Sequence, residues 1–518
     1  MTDKTEQIGG TEAESDRVPP YSWYVLFTLV VVYILNFIDR QILSILAVDI
    51  KADLDLTDSQ LGFLGGAAFA VFYALFGVPL GRLADRWHRV RLLTIGLALW
   101  SAMTALSGLA KNYFQLSLAR IGVGIGEASA SPTAYSLISD YFPARKRGTA
   151  LAIYSSGLYI GGGVSLFIGA KISQVWNAAY PGGGWAGLVG WQAAFLAVGL
   201  PGLLVAVWVA TLREPPRQPA EGSGSHPLRD FLSDLSMLLP PFTLWHAARR
   251  GPRAVVMNLA VAAAMVALAL FMIGLTDNVP QWSSMAFGYY AVFSWAATLR
   301  QRDPATFQLI WATPAFVCTA IGYGLVALGA YALAFWAAPY AEVVLGLPKD
   351  ELAFVLGANG AASGFLGVII GGRMSDALRA RNPSGRILVI MFGILAPVIP
   401  IWIGFTTESS VIFYVMNFLT GLFAATALGA AAATTQDLVL PRMRGTATAA
   451  FFLATTLIGL AIGPYMVGQI SDLTGSMRIG VLSLIAVAPI SLVLLIYAYR
   501  SLPQAEATIA ERARAAGA

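Results

Sequence analysis

Apolar runs about twenty residues long recur along this chain, and they dictate the solvent in which it can fold. A helix needs roughly 20 apolar residues to cross the hydrocarbon core of a bilayer. Two sets of six stretches meet that need, at about 23–48, 60–80, 91–110, 114–136, 148–170 and 187–211, then at about 312–337, 351–371, 387–406, 410–433, 446–468 and 479–499. Composition agrees: 57% of the residues are hydrophobic and 12% are charged, where soluble domains carry about 25% charged residues. The expected class is an all-α polytopic membrane protein.

The connector between the two sets holds two further apolar stretches, at about 254–275 and 282–298, separated by TDNVPQ. They read either as an inserted hairpin of two extra spans or as two helices lying on the membrane surface. The expected layout is a disordered tail (1–22), a first six-helix bundle (23–211), a linker carrying the hairpin (212–311), a second bundle (312–500) and a basic tail (501–518).

The net charge of +5 does not point to nucleic acid, because the basic residues sit in short loops. Arg82, Arg86, Arg89 and Arg91 follow the second span, Arg145, Lys146 and Arg147 the fourth, and Arg373, Arg379, Arg381 and Arg386 the eighth. Basic loops stay cytosolic, so both termini are expected in the cytosol. Cys318 is the only cysteine, which excludes an intrachain disulfide. His88, His226 and His246 all fall in loops, so no imidazole metal cluster is expected within the membrane. No metal or cofactor is expected. The chain has no phosphate-binding G-x-x-x-x-G-K-[ST] loop, no G-x-S-x-G elbow and no H-E-x-x-H pair. Neither ATP hydrolysis nor another enzymatic activity is expected.

An internal repeat sets the architecture. LGFLGGAAFAVFYALFGVPLGRLAD, from Leu61, aligns without gaps on LAFVLGANGAASGFLGVIIGGRMSD, from Leu352. DYFPARKRGTALA, from Asp140, matches DLVLPRMRGTATA, from Asp437, 297 residues later. Two repeats of like topology imply twin bundles related by an axis along the membrane normal, with a site between them near the midplane.

Charge inside the spans is concentrated in the first half: Asp39 and Arg40 in the first span, Arg120 and Glu127 in the fourth. Each costs roughly 2.5–3.5 kcal/mol at a helix centre, so the group must face inward. Arg120 and Glu127 are seven residues apart, nearly two turns, and share a face. Helical side chains lean toward their own N-terminus, and the two spans run in opposite directions. The expectation is an outer pair of Asp39 with Arg120 and a deeper approach of Arg40 to Glu127. Two roles stay open: a group that gains and loses a proton, or a static buried network that orders the bundle. The core spans of the second half offer weakly polar and aromatic candidates instead: Tyr323, Tyr331, Trp336, Asn359, Asn417, Thr455 and Thr456.

The glycine run GVGIG beside Arg120 reads as a close-packing surface. It lies mid-span and lacks the third glycine of a dinucleotide loop. The loop GRLADRWHRVR after the second span reads either as an orientation signal or as a cytosolic latch between the bundles. The latch residues are Gly81, Asp85, Arg86 and Arg89, with Arg373 and Asp376 as the second-half counterpart. Asp85 could act by meeting a helix N-terminus.

GRLADRWHRVR also resembles the loop signature of the major facilitator superfamily, with His88 where glycine is usual. Arg120 followed by G-x-G-x-G resembles that superfamily's fourth-helix motif. Within it, NFIDRQILSIL from Asn36, VGIGEASASP from Val123 and DYFPARKRG resemble the Spinster family. The resemblance implies the major facilitator fold and export of lysolipids or sphingoid phosphates. It also implies Asp39 and Glu127 as protonation candidates, with Arg40 and Arg120 as their partners or headgroup contacts. The inserted hairpin departs from the usual twelve spans. The expected partners are the bilayer, protons and an amphipathic anionic substrate, and the chain is expected to act as a monomer. The excess of arginine over lysine suggests a bacterial genome rich in G and C, hence the cell inner membrane. Competing readings are a proton-coupled symporter of small organic anions, a drug exporter, and a membrane receptor or scaffold.

Overall fold

In the computed structural model, which describes residues 18–216 and 227–517, every regular element is helical. The first half holds α1 (Pro20–Leu54), α2 (Asp58–Arg86), α3 (Arg89–Ser107), α4 (Tyr113–Glu127, continued by Ala130–Tyr141), α5 (Ala144–Ala179) and α6 (Gly190–Ala210). The connector forms short helices at Pro227–Ser236 and Phe242–Ala248, then α7 (Pro252–Thr276) and α8 (Val279–Arg302). The second half holds α9 (Pro314–Val343), α10 (Lys349–Arg381), α11 (Gly385–Thr406), α12 (Ser410–Asp437), α13 (Pro441–Thr474) and α14 (Met477–Ala507).

Among the described residues, 12 helices are long and apolar enough to cross a membrane. That set includes α7. It omits α4, which is broken and carries Arg120 and Glu127, and α8, where Gln, Ser and Tyr interrupt the apolar residues. Many helices overrun their apolar cores because the backbone ladder continues until a cap stops it. Asp55 ends α1 in the left-handed conformation, and Thr57 with Gln60 forms a capping box that starts α2. The expected tail shortens accordingly: residues 20–22 belong to α1, whereas residues 1–17 and His226 lie outside the described residues. At the other end, Ile509–Ala515 forms a short helix whose Arg512 bonds the hydroxyl of Thr313 at the start of α9.

Large apolar side chains such as Phe27, Leu204, Val207, Phe271, Ile490 and Val493 point outward. Such a surface is stable only against lipid. Inside, Trp100, Phe69 and Leu97 fill the first half, and Trp336, Tyr340, Phe405 and Phe413 pack near one end of the second. The repeat is visible in an ion pair. Arg89 bonds Asp140, and 297 positions later Arg386 bonds Asp437.

The two halves touch along α5 and α10. There a Cβ added to Gly357 would sit 2.5 Å from the Gly163 carbonyl oxygen, so the backbones meet with no side chain between them. At the end opposite the termini, polar contacts join the halves. The Asp472 carboxylate accepts the backbone N–H groups of Asp58 (2.9 Å) and Ser59 (2.7 Å) at the start of α2. Lys349 reaches Asp49 at 2.8 Å, and the Ser44 hydroxyl donates to the Phe335 carbonyl at 2.6 Å.

Candidate functional site: a buried charge cluster beside an apolar cavity

The glycines of GVGIG set where α4 runs. A Cβ on Gly124 would lie 2.5 Å from the Phe69 carbonyl oxygen on α2, and one on Gly126 would lie 2.8 Å from the Trp100 nitrogen on α3. Only hydrogen fits at either position, so α4 wedges between the two helices. Pro132 has no N–H to donate to Ala128, and the helix pauses between Glu127 and Ala130. Glu127 is thereby the last residue before the break, turned inward.

Arg40 Nη2 donates to Glu127 Oε2 at 2.7 Å. Glu127 is fully enclosed, whereas 15% of the Arg40 side chain is exposed. Three rings surround that guanidinium, with centroids 4.6 Å (Phe69), 5.0 Å (Phe37) and 5.0 Å (Tyr73) away. Such cation–π contacts stabilise a desolvated cation by about 2 kcal/mol each at best.

Asp39 and Arg120 also come together, though not as a carboxylate–guanidinium pair. Arg120 Nη1 donates to the backbone carbonyl of Asp39 at 3.1 Å, and its guanidinium lies 5.6 Å from the Phe69 ring. Asp39 Oδ1, Glu127 Oε1, Arg40 Nε and Arg120 Nε are buried without a hydrogen-bond partner among the described residues. Asp39 and Arg40 point about 100° apart around α1. Arg120 therefore meets the helix backbone while Arg40 takes the nearer carboxylate.

A cavity of about 390 Å³ opens beside this cluster, between α1 and α5 of the first half and α9, α10, α11, α12 and α14 of the second. Phe37, the ring under Arg40, is part of its wall, as are Tyr159, Tyr323, Tyr331, Asn417 and Thr420. Arg40 thus stands behind one wall residue, Phe37, and the wall itself is apolar, aromatic and weakly polar.

Three second-half candidates face elsewhere. Trp336 donates to the Pro464 carbonyl at 2.7 Å, Asn359 donates to the Tyr414 carbonyl at 2.9 Å, and Thr455 bonds back to Phe451 at 3.0 Å. Buried donors are normally satisfied: Trp336 and Asn359 tie neighbouring helices together, Thr455 bonds within its own helix, and none of the three lines the cavity. Thr456, next to Thr455 in the same π-helical turn, is buried too. Phe37, Tyr73 and Tyr159 went unnoticed in the sequence. The available signal was Phe37, one helical turn before Arg40.

The basic segment GRLADRWHRVR, whose first six residues form the end of α2, also differs from expectation. Arg82 pairs with Asp234 (2.8 Å) and Arg86 with Asp230 (2.9 Å), both on the linker helix Pro227–Ser236. Asp85 shares that polar pocket with Arg302, and Gly81 lies beside Pro132. Arg89 is buried and binds Asp140 and Ser136 of the first half and Glu214 (2.8 Å) at the start of the linker. The first-half arginines therefore grip the linker and their own half. Arg373 and Asp376 sit near the end of α10, where the ion pairs are made by Arg379 with Glu506 (2.8 Å) and Arg386 with Asp437. No group of three His, Cys, Asp or Glu side chains suited to a metal ion gathers among the described residues.

Comparison with known proteins places this geometry. The family model for the Major Facilitator Superfamily matches residues 29–337 and 319–517. An MFS-type efflux pump of Mycolicibacterium smegmatis is 25% identical over 92% of this chain and 91% of its own length. The human protein spinster homolog 1 is 27% identical over 88% of this chain and 74% of its own. The crystal structure of a bacterial homologue of the human lysosomal transporter Spinster, inward-facing and unoccupied, superposes with a TM-score of 0.68 at 26% identity. It covers 95% of this chain and 98% of that one. A D-xylose–proton symporter shares the fold alone, with a TM-score of 0.58 at 15% identity over 91% and 97% of the two chains. Twin bundles, a cavity between them and these matches lead to one conclusion: the chain is a multi-pass membrane transporter that belongs to the Major Facilitator Superfamily and resembles its Spinster members.

Proposed function

We propose that this transporter couples protons to the movement of an amphipathic, lipid-like anion such as a lysophospholipid or sphingoid phosphate. The observation that carries this reading is the position of Arg40, partly exposed, bonded to Glu127 and stacked on Phe37, whose ring lines the cavity. A proton on Glu127 cancels the charge that holds Arg40. The guanidinium is then free for an anionic head, and the acyl chain lies along the apolar wall. Substrate and proton thus bind together, and loss of the proton returns Arg40 to Glu127.

With the basic loops in the cytosol, the end joined by Asp472, Lys349 and Ser44 is the outer one. The state described here is then closed to the outside, and both termini lie in the cytosol. Rocking of the halves exchanges this closure for a cytosolic one. The bacterial inner membrane is the matching location, and a single chain contains both halves.

The test is uptake into proteoliposomes under an imposed pH gradient, with lysophospholipid, dicarboxylate and hydrophobic drug compared. Glu127→Gln and Asp39→Asn are assayed beside the wild type. Gradient-driven lysophospholipid uptake that Glu127→Gln abolishes supports the reading, and full coupled transport by both variants rejects it. The M. smegmatis relative, an MFS-type efflux pump, favours a second reading, efflux, for which the hydrophobic drug is the probe. Transport of the drug and not the lysophospholipid would decide for it.

A further inference from the structure

The insertion is attached to both halves at once. α8 lies along α2: the Phe287 ring stacks on Phe72 with centroids 6.1 Å apart, and a Cβ on Gly288 would sit 3.1 Å from Val71. The same helix meets α13. The Gln281 amide donates to the Ala461 carbonyl at 3.1 Å, Trp282 packs edge-on against Tyr465 at 5.8 Å, and Gly288 also approaches Leu457. At its far end Arg302 comes within 3.9 Å of Asp234, the partner of Arg82.

These contacts occur at successive levels. From Gln281 to Arg302 a helix rises about 31 Å, close to the thickness of the hydrocarbon core. A helix lying on the membrane surface would touch the bundle at one level only. The partner helix fits the same placement. On α7, Asn258 and Ala269 are the buried residues, and Val256, Val266, Leu270 and Phe271 face outward. Asn258 bonds Tyr290 of α8, which bonds Thr243 of the linker. So α7 presents an apolar face to lipid, and α8 presents its other side to the protein.

The twin halves leave two lateral seams, α2 against α13 and α5 against α10. The cavity wall includes Tyr159, Gly162, Gly360 and Gly364 from the second seam and no residue of α2 or α13. A Cβ added at Gly162 or at Gly360 would meet nothing within 4 Å. We propose that the insertion spans the membrane as a lateral seal. α8 closes the α2–α13 seam to lipid, and the acyl part of the substrate passes between bilayer and cavity through the α5–α10 seam. The route for the acyl chain rests on the lipid-like substrate proposed above; the seal itself does not.

Two arms test this on the whole chain, the first of them in native membranes. In a Cys318→Ser background, the pairs Phe72→Cys with Phe287→Cys and Tyr465→Cys with Trp282→Cys are treated with a short bifunctional thiol reagent. Cross-linking of both pairs is expected; failure of both overturns the seal, as does cross-linking of only one, because α8 then holds only one half. The second arm uses reconstituted wild type and a lysophospholipid with a photoreactive group on its acyl chain. Label in α5 and α10, with none in α2 or α13, is expected; label in α2 and α13 overturns the route. If the wild type neither transports nor takes up label from lysophospholipid, the proposed substrate has failed, and the cross-linking arm still decides the seal.

Discussion

Arg40 on α1 and Glu127 on α4 are 87 positions apart in sequence and 2.7 Å apart in space, and no other ion pair is described for either residue. Removing one member of a buried pair leaves the other charge uncompensated, which costs about 3–5 kcal/mol. Glu127→Ala is therefore expected to lower the unfolding temperature in detergent, read by tryptophan fluorescence. Glu127→Gln keeps a hydrogen bond to Arg40 and should lose less stability while losing coupling. Equal destabilisation by the two variants would show that charge, and not the bond, holds α1 to α4.

The repeated pairs Arg89–Asp140 and Arg386–Asp437 should differ in weight. Arg89 is completely buried and also binds Glu214 and Ser136, whereas 18% of the Arg386 side chain is exposed. Arg89→Ala leaves Asp140 and Glu214 partly open to water, so it is expected to cost about 1–3 kcal/mol, and Arg386→Ala clearly less. Unfolding curves of the two variants, measured side by side, give the comparison.

Gly124 tests the wedge. Any larger side chain there must displace the α2 backbone at Phe69, so Gly124→Val is expected to yield no folded transporter on size-exclusion chromatography. Gly148→Ala, where an added Cβ meets nothing within 4 Å, should elute as the wild type does.

Asp472 caps a helix that belongs to the other half. A carboxylate at a helix N-terminus contributes about 0.5–2 kcal/mol. Asp472→Asn should therefore shift the population away from closure at this end. Spin labels placed beside Asp53 and Leu473 would report it as a longer distance in the variant. An unchanged distance distribution would show that Lys349 and Ser44 hold this end without Asp472.

The linker carries an acid-sensitive group. His246 is half-buried, and burial, with Arg249, Arg302 and Arg250 nearby, holds its imidazole below the ordinary value. Its ring nitrogen faces the Ser236 hydroxyl at 2.8 Å. An unfolded histidine takes up its proton near pH 6.5, while the docked one resists until lower pH. This contribution to linker docking is thus complete above about pH 6.5 and is lost as pH falls through the lower folded value. Hydrogen exchange in Pro227–Ser236, corrected for intrinsic rates, should be faster near pH 5.5 than near pH 7.5. His246→Gln should remove most of the difference.

Much of this architecture was legible in the chain because the bilayer enforces simple rules. Apolar length gave the helices, and the repeat gave the twin halves. The approach of Arg40 to Glu127 follows from two antiparallel helices whose side chains lean toward their own N-termini. What escaped depended on choices among neighbours. Trp336, Asn359 and Thr455 sit on the right helices, yet each directs its donor to a backbone carbonyl within reach. Arg82 and Arg86 had several acids to choose from, and Asp230 and Asp234 won because the linker folds over them. Asp472, near the end of α13, carries no signal in the sequence; its role appears only once α2 begins beside it.

The contact between Gly163 and Gly357 has a mechanical consequence. Helices that interlock through side chains hold a preferred crossing angle, and changing that angle means unpacking teeth from slots. Where two bare backbones rest on each other there is nothing to disengage. The two halves can tilt about this spot as about a fulcrum, and on these two helices it is the Tyr159 ring, seated against Gly364, that must give way.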